Sequence, residues 1–110
     1  MMLLSRAEEI LLLAVYKLKV SAYGVTIREQ VYQDIGRYWS FGVIYKTLKK
    51  MKIKGYLKRI VSNPISERGG RSKFYYEITT KGISELGKIQ KVHSSLWDGV
   101  KKLSVEQKKN

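Results

Sequence analysis

The clearest chemistry in this sequence lies in a run of cations in the middle of the chain. Between Arg37 and Lys73 the only acidic residue is Glu67. The basic residues of this stretch are Arg37, Lys46, Lys49, Lys50, Lys52, Lys54, Lys58, Arg59, Arg68, Arg71 and Lys73. Ammonium and guanidinium groups hold phosphate oxygens through charge-assisted hydrogen bonds. The run therefore favours a polyanion as partner, although single lysines are equally typical of a solvated face.

The charge of the whole chain points the same way. Its 110 residues contain 22 Lys and Arg against 9 Asp and Glu, for a formal net charge of +13. This balance favours a nucleic acid or an anionic membrane surface as the partner. A single domain of this length buries only about two-thirds of its unfolded surface, so pairing with a second copy would stabilise it.

Other classes of site lack the residues that they need. The chain has no cysteine and a single histidine, His93, which excludes thiolate and histidine-rich metal sites. No carboxylate pair suggests a shared cleft, and no glycine loop follows a strand to cradle phosphate. We therefore expect no enzymatic activity, no metal and no cofactor. The apolar run at residues 10–16 is too short to span a membrane, and Glu8 and Glu9 before it are unlike a secretory signal, so we expect a cytoplasmic protein with no membrane partner.

Capping residues and apolar spacing predict two helices ahead of the cationic stretch. The first covers about residues 5–19, with Ser5 and Glu8 as a capping box, and is apolar enough to be the central helix of the core. Its apolar residues at helical spacing are Ile10, Leu11, Leu13, Ala14 and Leu18. The second covers about residues 23–35 and ends at Gly36. Thr26 and Glu29 offer an alternative capping box for its start.

A third helix is predicted at about residues 40–54, with Ser40 as its N-cap and Gly55 as the residue past its end. Its two faces differ in character. The apolar face consists of Phe41, Ile44, Leu48 and Met51, and the opposite face of Gly42, Val43, Lys46, Lys49 and Lys50. This separation predicts one buried side and one cationic side.

After Gly55 the apolar period changes from helical to two, which predicts strands at about residues 56–61 and 73–79. Phe74, Tyr76 and Ile78 share one face of the second strand and are expected to pin it to the core. Between the strands lies a long basic hairpin tip around the Gly69-Gly70 pair.

Thr79 or Thr80 is expected to cap a last helix. Residues at an a/d spacing form a seam along this helix, which His93 interrupts; they are Leu86, Ile89, His93, Leu96, Val100 and Leu103. For His93 two interpretations stay open, a pH-sensitive group in this seam or a partly exposed histidine with a satisfied hydrogen bond.

Three helices, a two-stranded hairpin and a further helix form the plan of a winged helix-turn-helix, so the predicted fold class is α+β, mostly α. In that plan the third helix enters the DNA major groove and the hairpin, or wing, contacts the flanking backbone or minor groove. We expect a DNA-binding domain at residues 1–80, a dimerisation helix at residues 81–105 and a disordered tail at residues 106–110.

Four segments resemble the PadR family of transcriptional regulators, in order and at compatible spacing. They are AYGVTIRE (22–29), SFGVIYKTLKKMKIKG (40–55), ERGGRSKFYYEITTKG (67–82) and LWDG (96–99). The resemblance covers about residues 4–100. It implies a homodimeric winged-helix protein that binds double-stranded DNA, usually as a repressor, and whose last helix builds the dimer. It also implies that a small-molecule effector can act at the dimer interface, although Trp97 does not match a family tryptophan position by position.

These arguments lead to two sets of candidate residues. The predicted DNA-binding residues are Ser40, Gly42, Val43, Tyr45, Lys46, Thr47, Lys49, Lys50, Arg68, Gly69, Gly70, Arg71 and Lys73. The predicted dimer residues are Leu86, Ile89, His93, Leu96, Trp97, Val100 and Leu103.

Several residues of the third helix and its surroundings have a narrower expectation. Tyr45 matches a family tyrosine whose ring packs while its hydroxyl reaches a phosphate. The Tyr23-Gly24 pair is expected to allow tight packing of the first two helices. Lys49 and Lys52 depart from the family pattern, which raises nonspecific affinity for nucleic acid.

Two alternatives remain open on the sequence alone. A nonspecific, chromatin-like or RNA-binding module would also explain the excess of lysine. A protein-interaction module on the same scaffold would use the basic face for an acidic partner, because a fold alone does not determine function.

Overall fold

The structure is a computed structural model that describes residues 2–61 and 73–100. Its helices are α1 (Arg6–Leu18), α2 (Gly24–Ile35), α3 (Phe41–Ile53) and α4 (Thr80–Trp97), and its strands are β1 (Leu57–Val61) and β2 (Phe74–Ile78). A 3₁₀ turn (Lys19–Ser21) follows α1. The predicted order of elements and the predicted fold class are both confirmed. None of the helices described is long and apolar enough to cross a membrane.

Helix α1 begins at the predicted capping box and lies at the centre of the core. The Glu8 amide donates to Ser5 Oγ at 3.1 Å, and the Ser5 amide donates to Glu8 Oε1 at 2.9 Å. These two bonds satisfy amides that the first turn leaves free. The helix packs against α2, α3, α4 and β2, as expected of a central helix.

The predicted apolar face of α1 was wrong in part. Leu12 and Val15 are fully buried together with the expected Leu11 and Ala14. The other members of the predicted set, Ile10, Leu13 and Leu18, are only half-buried. A stretch that is apolar almost all round fits several helical registers, and its neighbours decide which one faces inward.

Helix α2 starts at Gly24, so Thr26 is not its N-cap. The Thr26 hydroxyl accepts from the Tyr23 amide at 3.0 Å and donates to the Ser21 carbonyl at 2.6 Å, which ties the first turn to the preceding 3₁₀ turn. The helix ends as predicted at Gly36, whose φ of 74° is a left-handed conformation that glycine adopts at little cost.

Helix α3 is capped by Ser40, whose hydroxyl accepts from the Val43 amide at 3.2 Å. Ile44, Leu48 and Met51 have no exposed surface, which confirms the predicted buried face. Phe41 was predicted on that face but is 37% exposed; it lies at the first turn of α3, where its ring contacts Tyr45 and the Arg28 guanidinium.

The strands form an antiparallel hairpin in which Leu57 pairs with Ile78 and Val61 with Phe74. Strand β2 is also joined to the segment before α2, because the Tyr76 amide donates to the Ala22 carbonyl at 2.8 Å. Tyr76 is buried, but Phe74 is 47% exposed, so its predicted role in pinning the strand to the core was wrong. Residues 62–72, with the predicted basic tip, lie outside the described residues.

Thr79, not Thr80, caps α4. Its hydroxyl accepts from the Gly82 amide at 3.0 Å and donates to the Gly55 carbonyl at 2.6 Å, so one side chain joins the end of α3 to the start of α4. The helix ends at Trp97, and Gly99 after it has a φ of 77°. The predicted seam is therefore shorter than expected, since Val100 lies beyond the helix. Leu103 falls outside the described residues.

Candidate nucleic-acid interface

The predicted DNA-binding residues of α3 lie together on the side of the helix that faces away from the core. The exposed members are Ser40, Gly42, Val43, Tyr45, Lys46, Lys49 and Lys50, and Thr47 is half-buried. Burial of the opposite side fixes the rotation of the helix about its axis. The cationic face is thus directed outward by the packing of the apolar one.

Three lysines of this face have no acidic partner in the part of the chain that the structure describes. Lys46, Lys49 and Lys50 form no ion pair within residues 2–61 and 73–100. With Thr47, Ile53 and Lys54 they line one surface cavity of about 460 Å³. Solvated ammonium groups grouped in this way can exchange their counterions for phosphate groups.

Other lysines of the cationic run are neutralised within the chain. Lys54 Nζ lies 2.9 Å from Glu8 Oε2, and the Glu8 side chain is only 4% exposed. Lys58 Nζ lies 3.3 Å from Glu77 Oε1, with both groups exposed. The count of basic residues therefore overstates the charge available to a partner.

The Glu8–Lys54 pair is stabilised by its surroundings. Burial alone would raise the pKa of Glu8, but hydrogen bonds from the Ser5 amide and Lys54 outweigh it, so the pKa lies below its usual value. The hydrogen bond to Glu8 raises the pKa of Lys54. Both groups are charged at neutral pH, and Lys54 is held at the Ser5 end of α1.

Tyr45 packs over the start of α2. A Cβ atom on Gly24 would overlap the Tyr45 hydroxyl oxygen, so only glycine leaves room for this side chain. The ring is 45% exposed and its centroid lies 6.1 Å from that of Phe41. The expectation that Gly24 allows tight packing of the first two helices was wrong, because the close approach is between α2 and α3. No local pattern indicates this contact, because Gly24 and Tyr45 are 21 positions apart in the chain.

Of the predicted wing residues, the described part of the chain contains Lys73. Its ammonium lies 4.5 Å from the centre of the Tyr23 ring, next to the start of α2. The rings of Tyr23 and Tyr75 are 5.4 Å apart and continue this contact. Arg68, Gly69, Gly70 and Arg71 lie outside the described residues, so their role stays a prediction.

The predicted dimer residues fall into two groups. Leu86 and Ile89 pack against the core of their own chain, and Ile89 is only 7% exposed. Leu96, Trp97 and Val100 are 69%, 55% and 50% exposed. A spacing of three and four does not distinguish a helix packed on its own domain from one packed on a second chain.

His93 lies between these two groups and has a partner on α1. Its Nε2 atom is 3.1 Å from Glu9 Oε2, and Arg6 Nε is 3.9 Å from the other oxygen of the same carboxylate. His93 and Glu9 border a cavity of about 510 Å³ between α1 and α4, lined also by Leu13, Tyr16, Ile83 and Leu86. The histidine is thus satisfied within the chain, and its use as a pH-sensitive group stays a prediction.

Two basic residues were not assigned a role from the sequence. Arg59 lies over the Phe74 ring at 4.4 Å and is a further cation on the wing, beside Lys58 and Lys73. Arg28 of α2 reaches across to the segment before α3. A basic residue within a mixed helical segment gives no sign of such a contact. No group of His, Asp and Glu in the described part of the chain could hold a metal ion.

No family model and no curated protein sequence matches the chain. Solved structures do match it. A PadR family transcription regulator from Clostridium difficile R20291 is 25% identical, with a TM-score of 0.68 over 87% of this chain and 94% of that one. A PadR-like transcription factor from Bacteroides fragilis is 24% identical, with a TM-score of 0.71 over 84% of each chain.

Bacillus subtilis PadR, solved in complex with operator DNA, has a TM-score of 0.62 at 19% identity; the match covers 89% of this chain but 49% of that one. The chain therefore has a PadR-like winged-helix fold, as the resemblance of its four segments predicted.

Proposed function

We propose that this protein is a homodimeric, sequence-specific DNA-binding regulator that represses transcription in the cytoplasm. The observation that carries the proposal is the outward face of α3, where Lys46, Lys49 and Lys50 have no acidic partner in the described chain. The fold leaves this face of α3 exposed, and a protein of the same fold was solved in complex with operator DNA.

In this proposal α3 lies in the major groove. Val43, Lys46, Thr47 and Lys50 reach base edges, and Lys49 binds phosphate. The Tyr45 hydroxyl and the Ser40 cap, with the free amides behind it, contact the backbone. Gly42 allows close approach of the helix. Because this face has lysine in place of arginine, bidentate recognition of guanine contributes less to its specificity.

The wing adds the remaining contacts. Gly69 and Gly70 form its tip, and Arg68, Arg71 and Lys73 bind the flanking backbone or minor groove. Each phosphate neutralised in this way releases a counterion, so affinity falls steeply as the salt concentration rises.

Dimerisation places two copies of α3 in successive major grooves, about 34 Å apart, so the operator is a near-palindrome. The exposed apolar side chains at the end of α4, Leu96, Trp97 and Val100, supply the contact. The same helix, α4, also lines the cavity against α1 that His93 borders. The ring of Trp97 is also available to a flat aromatic effector at this interface.

The proposal is tested by selection from a random pool of duplex DNA at moderate salt, followed by sequencing of the bound fraction. Enrichment of a motif with two-fold symmetry is the expected result. Binding without enrichment would favour the nonspecific nucleic-acid module instead. A complete lack of retention would contradict DNA binding and favour an acidic protein partner.

A matched pair of variants separates the α3 face from general charge. Lys50→Ala removes one cation from this face, and Lys91→Ala removes one from an exposed position on α4. Loss of DNA affinity in the first variant and not in the second is the expected outcome. Equal losses would show that overall charge, and not α3, holds the duplex.

A further inference from the structure

One cation, Arg28, contacts the segment between α2 and α3 through a hydrogen bond and two aromatic rings. Its Nε atom donates to the Trp39 carbonyl at 2.9 Å. Its guanidinium carbon lies 4.8 Å from the centre of the Tyr38 ring and 4.7 Å from that of Phe41. The planar cation thus contacts the rings on both sides of residues 39 and 40, the last two before α3.

A second layer supports the first. The rings of Tyr32 and Tyr38 stack at 4.2 Å with an angle of 8° between their planes. The Tyr38 hydroxyl donates to Glu29 Oε2 at 3.2 Å. Tyr32, Arg28 and Glu29 all belong to α2. One helix therefore supplies the ring stacked on Tyr38, the cation beside it and the acceptor of its hydroxyl.

These contacts bear on the direction of α3. In the described chain, the Arg28 bond is the one hydrogen bond from a side chain of α2 to the backbone of residues 36–40. Trp39, whose carbonyl accepts this bond, also packs on the core. Residues 41–44 follow at once, and the α3 face begins with them.

Arg28 differs from the lysines of that face in what its charge contacts. Arg28 is half-buried, its Nε atom donates to a protein carbonyl, and its guanidinium lies against two aromatic rings. A lysine could keep the charge but not the planar fork that bonds and stacks together.

We propose that Arg28 is a positioning residue that sets the angle between α2 and α3 without binding DNA itself. The inference rests on the proposed function, since its consequence is correct placement of the α3 face in the major groove. A small error in that placement weakens every contact that α3 makes with the bases.

The test compares Arg28→Lys and Arg28→Met with the wild type and with Lys50→Ala on the selected operator. Dissociation constants are measured from about 50 to 300 mM salt, at a temperature where circular dichroism shows each variant to be folded. We expect about fivefold weaker binding for R28K and about tenfold for R28M, with the salt dependence of the wild type. Lys50→Ala, which removes a phosphate or base contact, lowers the slope by up to about 0.9.

Other results would overturn the inference. Retained affinity in R28K together with a reduced slope in R28M would make Arg28 a phosphate contact. Lower melting temperatures with unchanged affinity of the folded protein would make it a stabilising residue only.

Amide hydrogen exchange supplies a readout that does not depend on DNA. Exchange at Val43 and Ile44, whose amides donate to the hydroxyl and the carbonyl of Ser40, is expected to quicken in R28K and R28M, while the buried amides of α1 are unchanged. If the wild type itself bound no DNA, the proposed function would fail. Faster exchange at these residues would still support positioning by Arg28, and unchanged exchange would refute it.

Discussion

At the level of single residues, the contact between Gly24 and Tyr45 links the start of α2 to the outward face of α3. Tyr45 can lie there because position 24 has no side chain. In the sequence Gly24 indicates only the start of a helix. Its lack of a side chain nevertheless determines where Tyr45, a candidate phosphate contact on another helix, can lie.

Gly24→Ala is predicted to lower the free energy of unfolding by about 1 kcal/mol, because Tyr45 must move to make room for the methyl group. In a Tyr45→Ala background the same change should be neutral or stabilising by up to about 0.5 kcal/mol, since alanine favours helix over glycine. Urea unfolding of the wild type, the two single variants and the double variant measures the cost of Gly24→Ala in each background. An equal cost in both backgrounds would contradict the contact.

The buried Glu8 carboxylate makes stability depend on pH. Its folded-state pKa lies below the ordinary value of 4.5, since the Ser5 and Lys54 hydrogen bonds outweigh its burial. The stabilisation is therefore present above pH 4.5 and is lost as the pH falls through the lowered value.

Glu8→Gln should consequently flatten the fall in unfolding free energy between about pH 5 and pH 3, and cost about 1–2 kcal/mol at neutral pH. Glu77→Gln is the matched control, because its pair with Lys58 is exposed and contributes less than about 1 kcal/mol. Urea unfolding of the wild type and both variants across this pH range measures how each unfolding free energy depends on pH. An E8Q profile as steep as that of the wild type would exclude Glu8 as the source.

At the level of elements, the proposed function gives α3 and the wing different roles. The buried face of α3 determines its rotation about its axis, and in our proposal the Arg28 contacts determine its direction, an arrangement that suits the reading of bases. The wing is joined to the body by the hydrogen bond from the Tyr76 amide to the Ala22 carbonyl, and we propose that its cations bind the flanking backbone.

Lys46→Ala is predicted to relax the choice between operators, because Lys46 faces the groove floor in the proposed complex. We expect the selected motif to lose about 1–3 kcal/mol of discrimination at one position of each half-site, while affinity for random DNA falls less. Repeating the selection with K46A, beside K91A as control, measures this. An unchanged motif would remove Lys46 from the set that reads bases.

Arg71→Ala is expected to act differently, since a wing cation that binds phosphate carries no sequence information. Affinity should fall by a similar factor for the operator and for random duplexes, and the log–log salt slope should decrease by about 0.9. Titrations at several salt concentrations provide both quantities. A loss confined to the operator would assign Arg71 to base recognition.

At the level of the whole molecule, the two halves of α4 have different surroundings. Its first half completes the core through Leu86 and Ile89, and its second half leaves Leu96 and Trp97 exposed. An exposed apolar helix end on a domain this small favours association with a second copy.

Leu96→Asp is predicted to give a monomer that keeps its fold, because Leu96 makes little contact within its own chain, being 69% exposed. Affinity for a duplex with two half-sites should fall by at least about tenfold, since the second contact is no longer linked to the first. Sedimentation and DNA titration are the measurements. Val20→Asp, at a position 90% exposed on the 3₁₀ turn, is the control expected to remain dimeric; a dimeric L96D would refute this interface.

The order of the elements and most of their ends could be predicted from the sequence. The hydrogen bonds between Ser5 and Glu8, and between the Val43 amide and the Ser40 hydroxyl, join residues three apart, so the pattern is visible in the chain itself. The buried face of α3 follows from the same short spacing. Local structure of this kind depends on neighbours within one helical turn.

The tertiary structure decided which of these residues are available and where they point. Glu8 neutralises Lys54 from 46 positions away, and Arg28 holds Trp39 from 11 positions away. The helical spacing of Leu86, Ile89 and Leu96 was equally compatible with an internal and an external contact. Pairs far apart in the chain depend on how the helices pack, and that packing minimises the free energy of the whole molecule, which no local pattern records.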